Sequence, residues 1–304
     1  MGVASARGKL LLFGEHSAVY GHPAVGLSLP WALTVVHTPG PLWELPGLGR
    51  HEQAVRDLVG WFEDGARAEG LPPLPPGRLE FTSAIPVASG FGSSGALCAC
   101  LTNLFFPAMP LGDKDRWAWL AEGRFHGTPS GIDTALALRS GWWVLDPSTR
   151  PVTASALADP GLVLVVGAVV RDSNTKALVG GLAARRHAGE PLVVETIQAL
   201  GEVSREAGRV LAQGDHGLGA LVARARTGVR ALGLETPTLT AALDAGLGCP
   251  GALGGKLSGA GGGGAFFLLF DTVEAARAAL PRIEASIPAA LWAAKPQLLE
   301  EKQL

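Results

Sequence analysis

PVASGFGSSGA, residues 86–96, joins a strand-like segment (LEFTSAIPV, 79–87) to an apolar, helix-like run from Ala96 to Phe106. Gly90, Gly92 and Gly95 bracket the adjacent hydroxyls of Ser93 and Ser94. A loop of this kind turns backbone N–H groups inward around an anion, and the helix behind it adds its positive N-terminal end. Phosphate is therefore the first ligand to consider. The loop lacks the lysine of GxxxxGK[ST] and the acidic partner of a GxGxxG dinucleotide loop. Ala96 stands where a GxSxG nucleophile elbow needs glycine, which disfavours a hydrolase. A phosphate cradle then competes with a plain strand-to-helix turn capped by Ser93 or Ser94.

The rest of the chain bounds the partners of this loop. Its 304 residues suffice for two domains, and 47% apolar against 17% charged residues describe a globular protein. A net charge of −2 offers no electrostatic footprint for nucleic acid or an anionic membrane. Cys98, Cys100 and Cys249 have no metal-ligand spacing, so neither zinc nor a disulfide framework is expected. The run KLLLF (9–13) is stopped by Gly14, Glu15 and His16, and GLVLVVGAVV (161–170) is far short of a membrane span. A cytoplasmic protein with small-molecule partners is the expectation.

Apolar periodicity and breakers set the coarse order of elements. Strands are expected at 9–13, 24–36, 79–87, 142–145 and 162–170, and GGKLSGAGGGGAFFLLF (254–270) reads as a glycine-loaded turn feeding a further strand. Helices are expected at 51–69, 96–106, 113–126, 132–138, 175–187, 191–213, 217–232, 238–247 and 273–285, the last followed by a short tail. The stretch 146–160 reads as a linker, which divides the chain into 1–155 and 156–304. Mixed strands and helices without strict βαβ alternation indicate an α+β fold. Trp43, in the loop PGPLWELPGLG (39–49), is a candidate for stacking on a ligand ring, with core packing as the alternative.

Three further segments carry chemistry. GEHSAVYG (14–21) sets Glu15 and His16 in apolar surroundings, where charge is costly to bury without partners. HGTPSGID (126–133) fixes Asp133 at a helix start through Gly127, Pro129 and Gly131; Asp133 could be a helix cap or a rigidly mounted general base. Glu122, on the preceding helix, could be a solvated carboxylate or a hard oxygen ligand for Mg²⁺. KLSGAGGGGAF (256–266) has four consecutive glycines, whose entropic cost suits close backbone approach to a ligand or to the first glycine loop.

In this order and spacing the segments resemble the three motifs and aspartate loop of the GHMP kinase superfamily. KLLLFGEHSAVYG is more similar to its mevalonate kinase family than to the galactokinases, whose pattern runs GEHTDY. VRDSNTKALV (170–179) is similar to a segment of the family's C-terminal half. The resemblance implies a domain related to ribosomal protein S5 domain 2 followed by a ferredoxin-like domain, with ATP and the acceptor alcohol meeting between them. It implies ATP phosphates on Ser89, Gly90, Phe91, Gly92, Ser93, Ser94, Gly95 and Ala96, and Mg²⁺ on Ser94 and Glu122. It makes Asp133 the base and sets Lys9 beside it to stabilise the transferring phosphoryl. Lys9, Glu15, His16 and Asp133 would line the mevalonate site, and Gly259, Ala260, Gly261 and Gly262 form the third glycine motif.

A cytoplasmic homodimer of the mevalonate pathway is implied too. Four departures stand out: Phe91 for leucine, Gly95 for alanine, Thr134 for asparagine, and Arg226-Thr227 near the place of an asparagine–histidine pair. A phosphomevalonate or sugar kinase, or a catalytically silent nucleotide sensor on the same fold, is the alternative.

Overall fold

The computed structural model describes residues 1–126, 129–171, 175–214 and 217–299. β1 (Gly2–Phe13) and β2 (Ala24–Pro39) form a long antiparallel pair. β2 then takes β3 (Gly77–Ser83) along its second half and β4 (Trp142–Asp146) along its first, and β5 (Thr153–Leu157) pairs with β4. Gly8 marks a break in register between Arg7 and Lys9, and a bulge of this kind re-aims the next side chain. The Lys9 backbone N–H donates to the Phe91 carbonyl at 2.9 Å, which ties β1 to the glycine loop.

α1 (Glu52–Ala68) buries Val55, Leu58, Val59, Phe62 and Ala66, the stripe that the sequence spacing predicts. Phe62 stacks on Phe105 and Trp117, joining α1 to α2 (Ser93–Phe105) and α3 (Leu111–His126). α4 (Ile132–Ala137) packs against α2 and β1.

β6 (Val163–Val169) lies inside a second antiparallel sheet of order β7-β8-β6-β9, with β7 (Ala252–Leu257), β8 (Gly264–Phe270) and β9 (Trp292–Leu299). α5 (Thr175–His187), α6 (Pro191–Ala212), α7 (Leu218–Ala231), α8 (Pro237–Leu247) and α9 (Val273–Glu284) complete this half. α6 also reaches the first sheet: the Ser204 hydroxyl donates to the Pro23 carbonyl at 2.6 Å, and Gly208 leaves room for Val144. The architecture is α+β, as expected.

Several boundaries differ from the sequence reading. The strand expected over 79–87 stops at Ser83, whose hydroxyl accepts from the Ile85 N–H at 3.1 Å and turns the chain before Pro86. The helix expected from Ala96 begins at Ser93. The polar stretch 146–160 contains β5, and the tail contains β9; the division expected at 155/156 falls inside β5. Gly127 of the aspartate loop and residues 172–174 of the segment VRDSNTKALV lie outside the described residues.

Candidate active site

The glycine loop enters α2 without a serine cap. Gly92 occupies the cap position of α2 with a left-handed backbone, so neither Ser93 nor Ser94 is the N-cap. A side chain at Gly92 would collide with Lys9, its Cβ lying 2.7 Å from Lys9 Cγ. Glycine is required there for lysine and loop to share one space.

Ala88, Gly90, Gly92, Ser93 and Ser94 line a cavity of about 470 Å³, together with Lys9, Glu122, Asp133 and Arg171. Of the loop residues expected on phosphate, Ser89, Phe91, Gly95 and Ala96 do not line this cavity. Phe91 is buried edge-on against Trp31, with ring centroids 4.9 Å apart. The Ser89 hydroxyl donates to the Pro86 carbonyl at 2.7 Å. Gly95 and Ala96 are buried in the first turn of α2. A Cβ on Gly95 would meet Asp133 Cβ at 2.9 Å, so the glycine at this position lets α4 lie close to α2.

Asp133 is the second residue of α4, and its Oδ1 lies 3.2 Å from Lys9 Nζ. Glu122, only 6% exposed, lines the same cavity as this pair. Burial and then the neighbouring Asp133 charge push its carboxyl up to about 8, against the pull of Lys9 and of the Thr134 hydroxyl. That hydroxyl lies 3.4 Å from Glu122 Oε2 and 3.1 Å from the Gly131 carbonyl, so Thr134 supports Glu122 and the aspartate loop together.

A second cavity, of about 220 Å³, shares Lys9, Ser130, Asp133, Gly259 and Ala260 with the first. Leu11, Ala18, Val19 and Ile132 give it apolar walls, and Glu15 and His16 line it as well. His16 has a left-handed backbone, and its Nε2–H donates to the Ala260 carbonyl at 3.0 Å. Burial lowers the His16 pKa, which leaves a neutral ring to make this bond.

Glu15 finds the partner that the sequence reading required, but far along the chain. Its carboxylate is paired with the fully buried Lys256 ammonium, which also donates to the Leu257 carbonyl at 2.7 Å. Ser258 accepts the Leu11 N–H at 3.0 Å, so two contacts dock the third glycine motif on β1.

That motif splits in two. Gly259 and Ala260 line both cavities, whereas Gly261 and Gly262 pack on Leu234, the Gly262 N–H donating to its carbonyl at 2.9 Å. Trp43 takes the core alternative, near His37 and Phe105. Arg226 is bound to Glu235 and Asp244 in the second half. Sequence reading did not single out Arg171, Ser130, Lys256 or Ser258, although each lies in a segment it noted: VRDSNTKALV, HGTPSGID and, for the last two, KLSGAGGGGAF.

The comparisons with known proteins follow the same outline. The family described as GHMP kinases N terminal domain matches residues 58–141, and GHMP kinases C terminal matches residues 209–286. The mevalonate kinase of Aeropyrum pernix is 30% identical over 93% of each chain. That of Archaeoglobus fulgidus is 30% identical over 88% of this chain and 92% of its own. Among solved structures, the L. major mevalonate kinase in complex with R-mevalonate superposes with a TM-score of 0.74. It is 22% identical, over 95% of this chain and 93% of its own. At that identity the likeness concerns the fold.

Proposed function

This chain belongs to the GHMP kinase family, and from that premise we propose that it transfers the γ-phosphoryl group of ATP to the C5 hydroxyl of mevalonate, the step of isoprenoid biosynthesis that yields phosphomevalonate. The carrying observation is the pair of cavities that meet at Lys9 and Asp133. One has the glycine loop and helix N-terminus suited to a triphosphate; the other is small and partly apolar, suited to a short branched alcohol. A reaction between two bound molecules needs such a junction, because most of the rate comes from holding the reacting atoms together.

Asp133 accepts the hydroxyl proton as the alcohol oxygen bonds to the γ-phosphorus and the bond to the β,γ-bridging oxygen breaks, releasing ADP. Lys9, 3.2 Å from that carboxylate, presents its charge to the transferring phosphoryl. His16 and Glu15 shape the acceptor side, with Glu15 held by Lys256.

The residues present fit Mg²⁺. Among the described residues no cluster of three or more His, Cys, Asp or Glu could hold a metal by itself. Glu122 is a buried carboxylate beside a second one, and Ser94 lines the same cavity. One or two carboxylates completed by substrate phosphates is the usual Mg²⁺ arrangement. When bound, the ion neutralises charge on the β- and γ-phosphates. Ser94 and Glu122 would hold it.

No described helix is long and apolar enough to cross a membrane, and the three cysteines are unpaired, which suits a reducing cytoplasm. We expect an N-terminal unit through β5, a C-terminal unit from β6, and a homodimer in solution.

A coupled ADP-release assay with mevalonate, phosphomevalonate, galactose and homoserine tests this reading. Magnesium-dependent turnover with mevalonate alone is expected. Preference for another acceptor overturns the substrate, and release with none of them favours a silent nucleotide sensor.

A further inference from the structure

We propose that Asp115 and Arg139 are positioning residues for the phosphoryl transfer, a buried ion pair that clamps α3 to α4 and so sets the spacing of Glu122 and Asp133. The inference rests on the reading of Glu122 as a metal ligand and Asp133 as the base. Neither Asp115 nor Arg139 lines either cavity of the site. Each belongs instead to a helix that carries one of the two carboxylates. Asp115 shares α3 with Glu122, and Arg139 lies just past the end of α4, whose second residue is Asp133.

The two helices form a hairpin joined at the site. Asp115, Ala118 and Glu122 are buried along one stripe of α3, at i, i+3 and i+7. Near the connecting loop, the Thr134 hydroxyl reaches Glu122 Oε2 at 3.4 Å. Asp115 lies two turns back along α3, a rise of about 10 Å. There Arg139 Nη1 and Nη2 donate to its two carboxylate oxygens at 2.6 and 2.5 Å. Only 7% of the arginine side chain and 6% of the aspartate side chain is exposed. The guanidinium also lies 5.2 Å from the Trp143 ring centroid on β4. Arg139 Nη1 donates to the Ala135 carbonyl at 2.8 Å as well, so the same group closes the last turn of α4.

This pair supplies geometry more than stability. A buried ion pair returns little net stability, because desolvation offsets its attraction. Among the described residues Arg139 Nε has no hydrogen-bond partner, a further cost of burying the guanidinium there. What a guanidinium and a carboxylate do fix, through two parallel hydrogen bonds, is distance and angle. α4 needs such a hold. It has six residues, less than two turns, and its first turn brings Asp133 into a cavity that the Glu122 carboxylate also lines. Like charges push the site end of the hairpin apart, while Asp115 and Arg139 hold its other end together. The Ser28 hydroxyl, donating to the Leu136 carbonyl at 2.7 Å, anchors α4 on β2 and not on α3.

The test compares wild type, Arg139→Lys, Arg139→Met and the double variant Asp115→Leu/Arg139→Met as purified full chains. Arg139→Met leaves Asp115 buried and unpaired and should lose stability in urea, whereas the double variant should return to a midpoint near that of wild type. Its turnover should not return. With Mg²⁺-ATP and mevalonate, kcat of the double variant should fall about tenfold or more, with both KM values within about threefold of wild type. Arg139→Lys keeps the charge and loses the fork; it should keep the midpoint and show an intermediate kcat. Crystal structures of wild type and double variant, grown without acceptor, should show the Glu122–Asp133 separation widened by on the order of 1 Å. A double variant with kcat within about threefold of wild type overturns the inference, as does an unchanged carboxylate separation. An Arg139→Lys kcat equal to that of wild type overturns it too, so the test survives a double variant that does not fold. A wild type inert toward mevalonate overturns the acceptor assignment alone, because the separation of the two carboxylates is measured without any acceptor.

Discussion

Glu15 and Glu122 are both buried glutamates on the walls of the candidate site, yet their surroundings are built to opposite ends. Glu15 meets a fully buried lysine, and Lys256 in turn has the Leu257 carbonyl and the face of Phe267 at 5.3 Å. Burial pushes Glu15 up and Lys256 down, and their contact opposes both shifts. Glu122 has a neighbouring carboxylate instead, and the nearby cation, Lys9, is paired with Asp133. The first region closes its electrostatics within the protein and acts as a brace between the turn after β1 and β7. The second leaves a carboxylate short of cation, the condition expected where a metal arrives with the nucleotide.

The largest expected effect lies in the open region. Asp133→Asn removes the proton acceptor and keeps the side chain's shape. Turnover should fall on the order of 10³-fold while ATP binding, followed by calorimetry, changes little. Near-normal turnover would sink the base assignment.

The closed region should fail by unfolding. Lys256→Met leaves Glu15 buried without its partner, at a cost of about 3–5 kcal/mol. The double variant Glu15→Gln/Lys256→Met should recover most of that loss, since no uncompensated charge remains. Urea midpoints of the two variants measure the difference; equal loss in both would mean that packing, not charge, holds the brace.

The open region should show the reverse sign. Burial and the neighbouring Asp133 charge push the Glu122 carboxyl up to about 8, against an ordinary value of 4.5. An acid raised on folding contributes fully below its unfolded pKa, and that stability is lost as pH rises from about 4.5 to 8. Glu122→Gln escapes this loss. Without divalent ions it should be more stable than wild type by on the order of a few kcal/mol at pH 8.5, and nearly equal to it below pH 4.5. The same variant should lose magnesium-dependent turnover. Equal stability of the two proteins at pH 8.5 would show that Glu122 already has its countercharge.

What the sequence made legible follows from the same contrast. Residues gathered by short glycine-punctuated segments could be read directly: the phosphate loop, Asp133 on its rigid mount, and Glu122 one helix earlier. Partnerships across the chain could not. Lys256 is 241 residues from Glu15, and nothing in GEHSAVYG announces it. Arg171 lies in VRDSNTKALV, but its place against Gly90, Gly263 and Gly264 is set by contacts far apart in the chain.

The three strands missed in the sequence, β5, β7 and β9, are all sheet edges, and β7 lies in the glycine-loaded stretch read as a turn. β5 (TASAL) buries little and so lacks a strong apolar alternation. β9 carries Pro296, a residue tolerated at an edge or a bulge, and its register with β6 shifts at that point.

Gly95→Ala is the mildest change and joins fold to chemistry. The family commonly carries alanine here, but in this chain the added methyl would stand 2.9 Å from Asp133 Cβ and 3.1 Å from its carbonyl carbon. Both are closer than van der Waals contact allows, so α4 or the Asp133 side chain must yield by a few tenths of an ångström. Helix propensity alone favours alanine by about 1 kcal/mol, which should offset much of the crowding in overall stability. The position of the base has no such compensation. A small displacement of a catalytic group lowers kcat disproportionately. The expected outcome is an unfolding midpoint near that of wild type with kcat reduced about tenfold. An unchanged kcat would mean that Asp133 is held by Lys9 and the 129–131 loop firmly enough to withstand pressure from α2.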